Sequence, residues 1–271
     1  MSDMKDRVVQ ATVRALERAE TSLPDWVLEA IRQAAKGESN ELARQHLHFM
    51  LENVNIAGQS RLPLCQDTGL AIFHVCMGRD LRLDFSLSES IADGVRIATE
   101  KIPLRPNAVH PLTRKNSGDN TGPGMPDVIL DYVDGSGLSI TAFPKGAGSE
   151  NMSLVGMLNP ADDPFDFIVR TVAERAANAC PPLFLGIGLG GSFDLAARLA
   201  KRALLNMPGT SQEEMGLLER INSLGIGPMG LGGETTALGV RIETALCHTA
   251  SLPVAINFQC WANRSATEIV Q

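Results

Sequence analysis

The chain has 271 residues, 44% hydrophobic and 20% charged, a balance that supports a packed core and excludes a disordered tail, a collagen-like repeat or a membrane protein. Its net charge of -7, with no Lys/Arg-rich run, argues against a nucleic-acid partner. No window approaches the roughly 18 uninterrupted apolar residues of a membrane span, and the N-terminus lacks the apolar stretch of a signal peptide, so a cytoplasmic chain is expected.

Residues 1–60 read as helical. Val8, Val9, Val13 and Leu16 recur at helical spacing, a second helix opens at Ser22-Leu23-Pro24-Asp25, and a third runs from about Asn40 to Asn55. Leu70 to Met77 reads as a buried strand. Ser86-Leu87-Ser88-Glu89 has the form of a capping box and opens a helix to about Ile102. The long polar loop Arg105 to Pro126 follows; loops of that length inside compact domains are usually functional. Val128–Val133 and Leu138–Phe143 suggest a hairpin around Asp134-Gly135-Ser136-Gly137. Lys145 to Ser153 is a second polar loop. A helix from about Asp163 to Ala179, a strand at Leu183–Ile187, a glycine turn and a helix to about Asn206 come next. Ser211 caps another helix, and a Gly-rich turn spans Gly225 to Gly233. A helix at about Thr235–Cys247 and a strand at Val254–Phe258 complete the pattern. With no repeat or linker, the chain reads as a single mixed α/β domain: an N-terminal helical region (1–60), then β-sheets surrounded by helices (61–271).

Several segments could carry chemistry. Gly186-Ile187-Gly188-Leu189-Gly190-Gly191 matches the dinucleotide fingerprint and would serve an NAD-dependent oxidoreductase, but no second strand ending in Asp or Glu follows where a ribose needs it. The five cysteines form no C-x-x-C pair. Cys65, Cys180 and Cys260 fall at element ends, where sites gather. Cys76, inside a strand, and Cys247, inside a helix, read as small core residues. Spacing leaves two readings of the first three open: a three-cysteine metal site, or ordinary buried thiols. Arg105, Arg114, Lys115 and Lys145 lie in the polar loops, where they form a carboxylate pocket or a solvated surface. Asp67 is a general acid/base or a turn residue. A lone His248 is more often structural than functional.

Taken in order, Cys65-Gln66-Asp67-Thr68-Gly69, Arg105-Pro106-Asn107-Ala108-Val109, Asn116 to Gly122, Lys145-Gly146-Ala147-Gly148-Ser149-Glu150-Asn151, Cys180-Pro181-Pro182 and Gly186–Gly191 resemble the class I iron–sulfur fumarate hydratases. The α subunits of two-subunit fumarases and of L(+)-tartrate dehydratase belong to the same family. The resemblance implies a [4Fe–4S] cluster on Cys65, Cys180 and Cys260, with one iron open as a Lewis acid. It implies reversible hydration of a small dicarboxylate, with Arg105 clamping a carboxylate and Gln66, Gly148 and Asn151 lining the pocket. Asp67 takes the acid/base role and His248 contacts substrate or cluster. Single-chain members continue into a second domain, whereas this sequence stops at Gln271. The expectation is therefore an α subunit that needs a separate β subunit and self-associates with other α subunits. The Lys145–Asn151 loop looks more like the fumarase version, so fumarate is expected as substrate, with L(+)-tartrate or mesaconate as the alternatives.

Overall fold

The computed structural model describes residues 2–270. Helices α1 (Ser2–Thr21), α2 (Asp25–Gly37) and α3 (Glu41–Ser60) precede strand β1 (Ile72–Gly78), helix α4 (Leu87–Lys101) and strands β2 (Asp127–Val133) and β3 (Leu138–Ala142). The one-turn helix α5 (Ala147–Glu150), β4 (Leu154–Leu158), α6 (Pro164–Arg175), β5 (Leu183–Gly190), α7 (Phe193–Leu205) and α8 (Gln212–Asn222) follow. Strands β6 (Ala237–Ala245), β7 (Leu252–Gln259) and β8 (Ala266–Val270) end the order. This is the mixed α/β class expected from the sequence. Among the described residues, no helix is long and apolar enough to cross a membrane.

The elements gather into two compact units. One comprises residues 2–24, 53–147 and 264–270; the other comprises residues 25–52 and 148–263. In the first, a four-stranded sheet has the order β2-β1-β3-β8. The apolar stripe of α1 (Val8, Val13, Leu16) and that of α4 (Ile91, Val95, Ala98) cover the sheet face carrying Phe73, Val75 and Ile140. The two helices approach closely at Gly94, where a Cβ would lie 2.6 Å from Thr12 Cβ. Ser86 caps α4 by accepting the Glu89 N–H at 3.3 Å.

Strands β2 and β3 form as expected but not as a hairpin. The central strand β1 lies between them, parallel to β2 and antiparallel to β3. The Asp134–Gly137 connection spans the end of β1 and binds it: Gly78 N–H donates to Gly137 O at 2.7 Å, and Asp80 N–H to Gly135 O at 3.0 Å. Turn residues mark a reversal of the chain, and here the reversal steps over a third strand.

The second unit holds the sheet β4-β7-β5-β6. Helices α6 and α8 pack on the face bearing Leu185, Ile187, Ile256 and Phe258. On the other face α7 meets Ala255 through Ala196 and Ala200. The expected helix at 235–247 is instead strand β6, parallel to β5. Its Val240-Arg241-Ile242-Glu243-Thr244 run alternates at period two and is rich in β-branched residues, which suits a strand. Its outer edge is also partnered, since Ile242 N–H donates to the Glu214 carboxylate at 2.8 Å. Cys247 consequently lies exposed in the loop after β6 rather than in a helical core, while Cys76 is half-buried in β1. The short strands β4 and β8 carry no turn or periodicity signal strong enough to be read from sequence.

Candidate active site

In the first unit the segment from Cys65 to Gly69 forms a turn between α3 and β1. Leu64, 4% exposed, anchors its start: its N–H donates to Glu20 O at 2.8 Å, and its carbonyl accepts from Asn53 Nδ2 at 2.8 Å. Cys65 and Gln66 then face solvent. Asp67 closes the turn. Its Oδ1 accepts the Gly69 N–H at 2.9 Å and Asn107 Nδ2 at 3.4 Å, and its Oδ2 accepts the Ala147 N–H at 2.7 Å. The first of these bonds makes Asp67 an Asx-turn residue. Each carboxylate oxygen has about two acceptor positions, so Oδ2 keeps one beyond the Ala147 bond.

Arg105 is held beside this turn by its backbone. Thr68 Oγ1 accepts the Arg105 N–H at 3.1 Å and donates to the Arg105 carbonyl at 3.3 Å. Asn120 reinforces the loop: its Nδ2 donates to Arg105 O at 3.2 Å, and its Oδ1 accepts the Asn107 N–H at 2.6 Å. The result is a cleft of 540 Å3 lined by Cys65, Gln66, Thr68 and Arg105 with Leu62, Pro63 and Pro103. A cysteine, a glutamine and an arginine therefore line one open cleft, a residue set that suits an anionic ligand of diacid size. Lys145 is buried rather than part of this open cleft. It is 2% exposed, and its backbone pairs with Leu70.

Behind the turn lies a buried ion pair. Arg264 Nη1 donates to Glu20 Oε2 at 2.8 Å and its Nη2 to the Asp67 carbonyl at 2.7 Å. Burial pushes the Glu20 carboxyl up to about 7, with the Arg264 guanidinium opposing the shift and the Asp67 carboxylate adding to it.

The second unit gathers another part of the expected set at one end of its sheet. Cys180 follows the 3-10 turn Ala176–Ala179 after α6, adopts φ 55° and is exposed at the helix end. Its carbonyl accepts the Trp261 N–H at 3.3 Å, so the residue after Cys260 is fastened to Cys180. Cys260 is half-buried at the exit of β7. The segment before β4, which carries Gly148 and Asn151, reaches the same end: Ser153 Oγ accepts the Phe258 N–H at 3.0 Å, and Met152 O accepts from Arg175 Nη1 at 3.3 Å. Gly148 and Asn151 are exposed, and among the described residues nothing beyond its own local backbone lies within 4 Å of where a Gly148 Cβ would project.

His248 is elsewhere. It sits in the exposed loop before β7, its Nδ1 accepting the Ala250 N–H at 3.1 Å. The eight residues of β7 separate it from Cys260, which at about 3.3 Å per residue is about 26 Å. The structure therefore does not bring His248 to the end of the sheet where Cys180 and Cys260 meet.

The G-x-G-x-x-G match is not a phosphate turn, because Gly186, Gly188 and Gly190 lie within β5. A Cβ at Gly186 would stand 2.0 Å from Ala200 O, and one at Gly188 would stand 2.0 Å from Ala196 O. These glycines let α7 press onto the sheet. Ser192 caps α7, and Asp194 occupies its first turn, a placement that opposes a phosphate there.

A family model described as "Fumarate hydratase (Fumerase)" matches residues 9–268. The chain belongs to the fumarate hydratase family. It is 44% identical to a Methanocaldococcus jannaschii protein named "Putative L(+)-tartrate dehydratase subunit alpha", and the match covers 98% of each chain. It is 34% identical to proteins named "L(+)-tartrate dehydratase subunit alpha" from Escherichia coli O157:H7 and Shigella sonnei, covering 92% of this chain and 86% of each relative. Membership in this hydro-lyase family agrees with the resemblance read from the motifs.

For a member of the fumarate hydratase family, the cysteines suit an iron–sulfur cluster in their donor chemistry. Cys65 and Cys180 present exposed thiols from loop positions, and Cys260 is half-buried beside the Cys180 backbone. Among the described residues, no group of three or more His, Cys, Asp or Glu side chains converges as a site for a single metal ion.

The motif reading missed the residues that hold the turn. Glu20 was visible as a charge at position i+4 from Leu16 on the buried stripe of α1. Arg264 lay in Asn263-Arg264-Ser265, outside the segments that carried the resemblance, and was given no role. Asn107 and Asn120 fell inside resembling segments but carried no assigned role.

Proposed function

We propose that this chain is the α subunit of a two-subunit hydro-lyase that dehydrates L(+)-tartrate. The observation that carries the reading is the cleft in which Arg105 flanks Cys65 and Gln66, combined with near full-length similarity to proteins named as tartrate dehydratase α subunits. Elimination breaks one C–H and one C–O bond and releases water. The enol that results becomes a 2-oxo diacid by proton transfer to carbon.

Arg105 pairs with one substrate carboxylate, and Gln66, Gly148 and Asn151 are the further substrate contacts. The hydroxyl that tartrate has and malate lacks needs a partner, because an unpaired buried hydroxyl costs about 1–3 kcal/mol. The exposed amides of Gln66 and Asn151 are suited to supply it. Asp67 is the proposed proton acceptor through the remaining acceptor position of Oδ2. His248, at the far end of β7, has no part assigned by geometry. Cys65, Cys180 and Cys260 are the proposed ligands of a [4Fe–4S] cluster, which when bound supplies a Lewis-acidic iron for the departing hydroxide.

Hydration of fumarate is the second reading, favoured by the family description and by the Lys145–Asn151 loop. The relatives' names favour tartrate over it. The test is anaerobic co-expression with the candidate β subunit, followed by parallel assays with L(+)-tartrate, fumarate, malate and mesaconate. Tartrate should be turned over at the highest kcat/KM by the complex and not by the chain alone. Light scattering on the same sample reports α self-association. A complex that hydrates fumarate and ignores tartrate would overturn the substrate assignment, and full activity of the lone chain would overturn the two-subunit reading.

A further inference from the structure

Cys65 and Gln66 are exposed, so their own side chains contribute little packing to fix the turn that bears them. The restraint comes from behind, and Glu20 reaches both ends of it. Its backbone carbonyl accepts the Leu64 N–H at 2.8 Å on one side of the turn. Its carboxylate holds Arg264, whose second terminal nitrogen grips the Asp67 carbonyl at 2.7 Å on the other side. Glu20 is 1% exposed and Arg264 is 3% exposed.

We propose that Glu20 and Arg264 are positioning residues, a buried bracket that sets the backbone of the Cys65-Gln66-Asp67 turn and so the direction in which Cys65 and Gln66 meet the cleft. The catalytic meaning of this bracket rests on the proposed function; its mechanical meaning does not.

Three features support a bracket over a plain core ion pair. A buried pair seldom stabilises a fold more than apolar residues of the same volume would. The guanidinium divides its terminal nitrogens between a carboxylate and a main-chain carbonyl, which couples helix to turn, and the hydrogen bond it gives Asp67 is charge-assisted. Its Nε meanwhile finds no hydrogen-bond partner among the described residues, so the orientation satisfies the bridge at the expense of the arginine's own complement. Gly146 completes the enclosure: a Cβ there would lie 3.2 Å from Asp67 Oδ2 and 3.8 Å from Arg264 Nη2.

The test compares wild type, Arg264→Lys and the double variant Glu20→Leu/Arg264→Met, each as the full chain with its partner subunit. The double change removes both charges together, so neither is left buried alone. Amide hydrogen exchange is read at residues 64–69 and at β5, with iron content after anaerobic reconstitution and with KM and kcat. In the double variant, exchange at 64–69 should rise at least tenfold while β5 stays within twofold. Iron per chain should fall, and kcat should drop at least tenfold with a smaller change in KM. Arg264→Lys, which offers one nitrogen where the guanidinium offers two set apart, should fall in between. Unchanged exchange at 64–69 in the folded double variant overturns the proposal. Should that variant not fold, unchanged exchange in Arg264→Lys does so. A wild type inert toward every diacid would count against the proposed function, and the exchange result would still decide the bracket.

Discussion

Gly69 offers the sharpest check on how the turn is built. It adopts φ +73°, and a Cβ there would stand 2.5 Å from both the carbonyl carbon and the oxygen of Lys145. Replacement by alanine carries two costs. Holding an L-residue in the left-handed region costs about 1 kcal/mol. The Lys145 backbone must also retreat by roughly 0.9 Å to restore ordinary contact, which strains the two 3.0 Å hydrogen bonds that join Leu70 and Lys145. Each such bond is worth about 1 kcal/mol net. Gly69→Ala should therefore lose about 2–4 kcal/mol, measured by urea unfolding. Gly148→Ala is the control, because open space surrounds that position and its φ is not in the left-handed region; it should change stability by less than about 0.5 kcal/mol. A loss below about 1 kcal/mol in Gly69→Ala would refute the account, since the bridge would then not constrain the turn.

The other expectations concern the thiols and the buried carboxylate. Cys65→Ser, Cys180→Ser and Cys260→Ser should each lose most of the iron taken up on anaerobic reconstitution, while Cys76→Ser and Cys247→Ser keep it; iron and sulfide analysis decides. Glu20 has its carboxyl raised from 4.5 to about 7 by burial, so the folded state holds this proton more tightly than the unfolded chain. Its stabilising contribution is complete below about pH 4.5 and lost as pH rises through 7. The window corresponds to an order of 3 kcal/mol. The unfolding free energy of wild type should fall relative to Glu20→Gln between pH 5 and pH 8, and a flat difference across that range contradicts the assignment.

Much of the fold was legible because its signals are local. The stripe Val9, Val13, Leu16 marked α1, and Ser86 and Ser211 marked the starts of α4 and α8 through side chains that cap their own helices. The cysteines at element ends were correctly located at turns, and Cys65, Gln66 and Arg105 do share a cleft. The run 237–245 was misread because helix and strand periods are hard to separate where glycine and alanine interrupt the pattern. The glycines of β5 were misread because a motif records residue type and not the helix pressed against it.

Composition, periodicity and capping thus determined the α/β class and most element boundaries, since each depends on neighbours within a few positions along the chain, while the resemblance alone pointed to the segments expected to carry reactive side chains. Tertiary structure alone decided that β1 separates β2 from β3, that His248 and Cys260 occupy opposite ends of one strand, and that Glu20 and Arg264, 244 residues apart, clasp the same turn. Those outcomes depend on which surfaces meet when the apolar faces are buried, and burial acts between segments distant in sequence.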